Sequence, residues 1–354
     1  MNREKMPSIR DRYTTLSDEE TKLIMMEINK DFPNSGIREM IAHLKRLEPP
    51  IILQRNRCQK LLAEIDPVGA AQRWAQVIKR RQYSVPSPNS LWHIDSNHAL
   101  VRWGYVVFGQ IDGFSRLVSQ LNLSTDNKAS SALFTFIKSV QDFGVPSRVR
   151  LDKGKEFNHV EHMMEVFNGE RRGSCIRGRS VHNQRIERLW RDVYWKVLHK
   201  YYVIFYHMED HNILDILNPI HMFSLQYVFS PRIQNALKNW QFAHNNHPVR
   251  TEKNNSPLQL WYQGSLKCYH QNSTAMNNLF RRDINEVNIT VEEILDSYNL
   301  VEPDDIKVVV PRYVAPLTPT QLSNLHQQIN ASAQSDGIDI YGNVVRYIEA
   351  CCSM

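Results

Sequence analysis

Long apolar runs are missing from this chain. No stretch of eighteen apolar residues occurs and the longest apolar patch is Tyr201 to Tyr206, so no membrane-spanning helix is expected. Nor does the start show the charged-then-apolar pattern of a secretory leader. Cysteine is scarce too. The five present, Cys58, Cys175, Cys268, Cys351 and Cys352, are odd in number and never spaced C-x-x-C. That usage predicts reduced thiols of the cytosol or nucleus and no cysteine-based zinc site. Acidic residues are under-represented over most of the length: residues 1–265 carry 37 Lys+Arg against 26 Asp+Glu, whereas 266–354 carry 6 against 11. The net charge of +6 hides this asymmetry, and the basic part is where phosphates are expected to bind. A basic surface alone is equally a property of proteins that never touch nucleic acid.

What the chain does have is three acids in telling places. Asp95 lies in Leu91-Trp-His-Ile-Asp-Ser-Asn97, a run that reads as a buried strand, and Asp152 ends another in Arg148-Val-Arg-Leu-Asp-Lys-Gly154. Glu187 lies in His182-Asn-Gln-Arg-Ile-Glu-Arg-Leu-Trp190, at the edge of a helical apolar stripe formed by Ile186, Leu189, Trp190, Val193, Val197 and Leu198. An unpaired carboxylate in a core costs several kcal/mol, so Asp95 and Asp152 need compensation. Two Mg2+ or Mn2+ ions would provide it, because these hard cations prefer carboxylate oxygen and water. Such a centre performs phosphoryl transfer. Taken one at a time, each acid also has an ordinary reading, a turn cap for the aspartates and a solvated helix face for the glutamate.

Residues 88–264 resemble the catalytic core shared by retroviral integrases and DDE transposases, closest to eukaryotic transposon-derived integrase-core proteins. The motifs that carry the resemblance are the three acids, Ile111-Asp-Gly-Phe-Ser-Arg116, the Asp-x-Gly-x-Glu pattern from Asp152 to Glu156, and Asn183-x-x-x-Glu187-Arg188. The closing His244-Asn-Asn-His-Pro248 and Ser256-Pro-Leu-Gln-Leu-Trp261 follow in order. Thirty-four residues, 153–186, separate the second and third acids, close to that family's spacing. The resemblance implies a DDE-type polynucleotidyl transferase acting in DNA integration, with DNA as partner, assembly as a homo-oligomer, location in the nucleus and no membrane association. It also implies Asp95, Asp152 and Glu187 as catalytic residues and ligands of two Mg2+ or Mn2+ ions, without zinc. The chain departs from the family in three ways. It has no counterpart of the His-His-Cys-Cys domain, it carries Gln184 where a glycine often follows the asparagine, and it carries Phe157 after Glu156.

The coarse organisation fits this reading. Residues 1–16 are basic and unpatterned, a start compatible with a further domain upstream. Residues 17–68 are expected to form a helix-turn-helix-like DNA-binding domain: a helix opened by the capping box Ser17-Asp-Glu-Glu20, a second over Ile37 to Leu47, and a third over Leu53 to Ile65. Arg55, Arg57 and Lys60 on the third are candidates for DNA contact; a plain three-helix bundle with a solvated basic face is the alternative. Residues 69–90 contain a helix, Ala70 to Arg81, and a Pro/Ser linker. The core, 91–265, is expected to be α/β, a ribonuclease H-like mixed sheet with flanking helices. Its strands are Leu91 to Asn97, Trp103 to Asp112, Leu117 to Leu123, Val149 to Asp152 and Ser174 to Ile176, with a helix capped by Asp126 and stopped by Gly144 and Pro146. Residues 266–354 read as an acidic, partly disordered region, with an amphipathic piece at Val291 to Tyr298, a strand-like Ile306 to Val310 and a polar helix near Gln321 to Ile329.

Around the acids, Lys153, Lys155, Arg185, Arg188 and Arg191 are candidates for phosphate contact, and Arg171, Arg172, Arg177 and Arg179 add a basic approach. Glu156 is read either as a partner for an arginine near the site or as solvated. His159 and His162 are read as packing or surface residues, since no third metal ligand is evident. Two rival functions remain. One is a domesticated, non-catalytic DNA-binding or scaffold protein; the other is a nuclease that cuts RNA in hybrids using the same fold and metals.

Overall fold

The computed structural model describes residues 13–33, 35–69, 84–178, 183–283, 288–304, 306, 308, 310, 313, 316–331 and 335–352. Three helices come first. Helix α1, Asp18–Asp31, starts at the expected capping box: Ser17 Oγ accepts from the Glu20 amide at 3.2 Å and the Glu20 carboxylate accepts from the Ser17 amide at 2.9 Å. Helices α2, Ile37–Arg46, and α3, Arg55–Ile65, close on it around Met25, Met40, Leu44, Cys58 and Leu61. The connection from α2 to α3 spans residues 47–54 and holds Pro49-Pro50, longer than the three or four residues of a helix-turn-helix turn. This front unit is also seated on the rest of the molecule, through Phe32 in the main core and a buried ion pair from Glu39 to Lys196. The helix expected over Ala70 to Arg81 lies outside the described residues.

The sheet follows. Strands β1 (Trp92–Asn97), β2 (Val106–Asp112) and β3 (Val118–Ser124) run antiparallel in sequence. The second is shorter than expected, since Val101–Trp103 forms a 3-10 turn and Gly104, at φ +76°, ends it in a conformation that suits glycine. Helix α4, Ala129–Phe143, turns its Leu133, Phe136, Ile137 and Val140 onto one face of the sheet. Its amide end differs from expectation. Asp126 accepts from the Lys128 amide and the Ser131 hydroxyl, while the amides of Ala129 and Ser130 donate to the Glu302 carboxylate at 2.8 and 3.0 Å. A distant acid thus does what a local cap was expected to do. Glu302→Ala is expected to lower stability by about 1 kcal/mol, the usual worth of such a cap, in urea unfolding; an unchanged midpoint would mean that water serves these amides as well.

Strand β4, Val149–Leu151, pairs parallel with β1; helix α5, Asn158–Asn168, leads to β5, Cys175–Arg177, parallel with β4. The strand order is β3-β2-β1-β4-β5, the mixed sheet of a ribonuclease H-like fold. Helix α6, Gln184–Val193, runs through a π-helical turn, Tyr194–Leu198, into α7, His199–Asp210, and with the long α8, Pro219–Asn246, covers the second face. Helix α8 also closes the sheet edge. Asn245 exchanges hydrogen bonds with both backbone groups of Val118, Gln241 accepts from the Leu121 amide and donates to Val118 and Ser119, and Gln234 accepts from Leu123 and donates to Leu121. Side-chain amides stand where a sixth strand would.

Helices α9 (Pro257–Cys268) and α10 (Thr274–Phe280) complete the core. The region expected to be a partly disordered tail is largely ordered where it is described. Helices α11 (Val291–Ser297), α12 (Pro319–Gln328) and α13 (Ile338–Cys352) follow, and α13 buries Ile340, Tyr341, Val344 and Ile348 in the main core against α8. The apolar positions of 338–348 recur at helical spacing, which outweighs the acidic, Ser/Ala-rich composition around them. Of the strand expected over Ile306 to Val310, residues 306, 308 and 310 are described and lie outside any strand, while 307 and 309 lie outside the described residues. Among these residues, no helix is long and apolar enough to cross a membrane.

Candidate active site

The register of two parallel strands brings the first two acids level. Trp92 pairs with Val149 and His93 with Arg150, so continuing that offset past the strand ends puts Asp95 opposite Asp152. Asp95 lies within β1 and Asp152 directly after the end of β4, where the pairing of the two strands stops. Burial, reinforced by the Asp152 charge, pushes the Asp95 carboxyl up to about 7. Opposing that rise, the Trp190 indole N–H donates to Asp95 Oδ2 at 3.0 Å and the Ser96 amide to Oδ1 at 3.0 Å. Asp152 accepts from the Gly154 amide at 2.8 Å, which fixes the turn after β4.

Glu156 is the acid whose expected surroundings need correction. It is buried, 6% exposed, and its Oε1 accepts from the Ser96 hydroxyl at 3.3 Å. It folds back over Gly154, where any Cβ would approach its carboxylate to 2.2 Å. It is therefore not solvated, among the described residues no arginine pairs with it, and its charge acts on Asp95.

Glu187 comes from α6, and two hydrogen bonds set that helix against β1. At its start, Asn183 Oδ1 meets His93 Nδ1. Two turns on, Trp190 reaches Asp95. His93 and Asp95 share one face of the strand, and positions 183, 187 and 190 share one face of the helix, within about 60° of one another at 3.6 residues per turn. Glu187 stands at the exposed border of that face, as its place beside the apolar stripe predicted. Gln184, at the position where the family often has glycine, is the first residue of this helix.

Among the described residues, no group of three or more His, Cys, Asp or Glu side chains is gathered closely enough to hold a metal ion. Asp95 and Asp152 fit a hard divalent cation by their chemistry: two acids set opposite one another on neighbouring strands, the first with its carboxyl raised by burial and by the charge of the second, are what a cation would relieve. Asp95, Asp152 and Glu187 do not form such a group. His159 is buried and His162 packs edge-on against Tyr298, with ring centroids 5.2 Å apart.

The basic candidates divide by what they touch. Lys153, Lys155 and Arg191 are exposed beside the acids, and Arg188, also exposed, pairs with Asp192 one turn on at 3.4 Å. Arg185 is half-buried. Arg177 is engaged, donating to Glu161, to the Gly154 carbonyl and to Asn158, so it braces the turn after Asp152. Arg172 likewise holds Ser147, Ser174 and Thr274 together. Arg179 lies outside the described residues. In the front unit Arg55 and Lys60 face solvent, whereas Arg57 pairs with Asp18 at 2.7 Å.

Sequence reasoning missed Trp190 as a polar partner of Asp95, because an apolar stripe invites reading every member as packing. It also missed the His93 to Asn183 bond. The alternation of His93 with Asp95, and the four residues from Asn183 to Glu187, were the available signals.

Among curated proteins, none matches the chain. Of solved structures, it is similar to a chain of the simian T-cell lymphotropic virus intasome in complex with PP2A regulatory subunit B56 gamma, determined by cryo-electron microscopy. Sequence identity there is 16% and the TM-score 0.37, covering 67% of this chain and 72% of that one. The model of the integrase core domain matches residues 82–275, which include the five strands, both aspartates and the helix of Glu187. The chain belongs to the integrase core domain family.

Proposed function

We propose that this protein cleaves and joins DNA strands in a reaction that depends on Mg2+ or Mn2+, with Asp95, Asp152 and Glu187 as the acids that hold the cations. The observation that carries this reading is the pairing of β1 with β4, whose offset continued beyond His93 and Arg150 sets Asp95 level with Asp152, in a member of the integrase core domain family. Bound cations would activate water or a DNA 3'-hydroxyl and neutralise charge on the leaving oxygen. The remaining tasks fall to the chain. Trp190 and the Ser96 amide orient Asp95, the Gly154 amide orients Asp152, and Asn183 ties the start of the Glu187 helix to β1. Lys153, Lys155 and Arg191 are exposed and close in sequence to these acids, and would receive a phosphodiester.

DNA as partner and the cysteine usage together make the nucleus the proposed compartment, and joining two DNA ends makes a homo-oligomer the proposed assembly. A second reading, a non-catalytic DNA-binding or scaffold protein with this fold, is favoured by one observation: the three acids are not gathered. Supercoiled plasmid incubated with the protein and Mg2+ or Mn2+ separates the two. Nicked and joined products, with a melting temperature raised by Mn2+, are expected. DNA binding with neither result would leave the scaffold reading standing, and cutting confined to an RNA–DNA hybrid would replace strand transfer with nuclease action.

A further inference from the structure

We propose that Trp190 is a positioning residue for the Asp95 carboxylate, holding it in the orientation that receives a divalent cation, and that Gly109 is the residue that admits the indole. This inference rests on the cation reading above. A carboxylate has a broad, nearly two-fold preference about its last torsion, so a buried aspartate without directional partners samples many orientations. Asp95 has one partner on each oxygen, the Trp190 indole N–H on Oδ2 and the Ser96 amide on Oδ1, both at 3.0 Å. Each carboxylate oxygen can accept twice. An indole only donates, so it fixes the direction of Oδ2, leaves a lone pair for a cation, and cannot itself compete as a ligand.

The strand next to Asp95 is built around this contact. Gly109 is the residue directly opposite Asp95 in β2. A Cβ at that position would approach Cη2 of the Trp190 ring to 2.4 Å and Cζ2 to 3.0 Å, closer than side chains pack. Any other residue at 109 would therefore push the ring away from the carboxylate. The ring also packs, since Trp190 is 8% exposed and belongs to the main core. A ring that only packed would need no polar partner, and phenylalanine would replace it.

Purified protein titrated with Mn2+ and followed by thermal melting tests the assignment. In Trp190→Phe the half-saturating Mn2+ concentration is expected to rise roughly tenfold or more, the usual effect of losing a group that orients a metal ligand. Saturating Mn2+ should restore the wild-type gain in melting temperature. Gly109→Ala keeps the indole but displaces it, so it should shift the titration in the same direction; it also serves where Trp190→Phe fails to fold. Wild-type half-saturation in either folded variant would overturn the positioning role alone. A wild-type protein with no response to Mn2+ would overturn the cation reading, and this inference with it.

Discussion

Asp152→Asn is expected to abolish metal-dependent nicking and joining of plasmid DNA, by on the order of a thousandfold given the several kcal/mol a bound metal supplies. An amide of the same shape cannot offer the anionic oxygen that a hard cation needs, so fold and DNA binding should survive. The same change has an opposite effect on the metal-free protein. Burial and the Asp152 charge hold the Asp95 carboxyl up near 7, above the ordinary aspartate value of 3.8. For an acid raised in the folded state, the penalty is absent at low pH, grows as pH climbs from about 4 to about 7, and is constant above that. Removing the Asp152 charge should therefore make the metal-free variant more stable than wild type at pH 8 and nearly equal to it at pH 4. Urea unfolding at the two pH values checks this. Equal stability at both would mean that the two acids do not repel each other.

The second large effect is expected where the front helices meet the core. Glu39 of α2 is buried, pairs with Lys196 in the π-helical turn and accepts from the Gly36 amide at 3.2 Å. Burial alone would raise its carboxyl, but the Lys196 ammonium, aided by His247 and the Gly36 amide, outweighs it and holds the group down to about 2. Lys196→Ala leaves that charge buried and uncompensated, and should cost about 3–5 kcal/mol. Glu39→Gln combined with Lys196→Met removes both charges at similar volume and should cost much less. The acid is depressed, so its contribution is present above the unfolded value of about 4.5 and is lost as pH falls toward 2. Chemical denaturation across that window, wild type against the double variant, reads it directly; parallel curves would show that the pair does not set acid stability.

The parts of the fold that read well from sequence were those with strong periodicity. Alternating and continuous apolar runs gave β1, β2 and β3, and Ile186, Leu189, Trp190 and Val193 gave the buried stripe of α6 with Glu187 at its border. That Asp95 and Asp152 lie on neighbouring strands followed from strand order alone, whereas their level needed the register. What could not be read depended on residues far apart in the chain. The Glu302 carboxylate capping α4 and the Asn183 side chain on His93 join positions 173 and 90 residues apart, and no local pattern announces either. Composition misled over 338–352, where a short apolar stripe decided the packing. Basic residues were the least legible. Arg57 and Arg177 look no different in sequence from Lys60 and Lys153, yet the first two are held by carboxylates.

The glutamines and asparagine that α8 lays along β3 bear on how copies of this protein can meet. An open strand edge invites a strand from another chain, whether in a functional pairing or in aggregation. Here the long edge offers its backbone groups to Gln234, Gln241 and Asn245 instead, and the opposite edge, β5, is only three residues long. Extending the sheet from one molecule into the next is thus closed off along β3. Copies meeting on DNA would not do so through β3, and on that side the exposed strand that seeds fibrils in many sheet proteins is withheld from solvent by three amides.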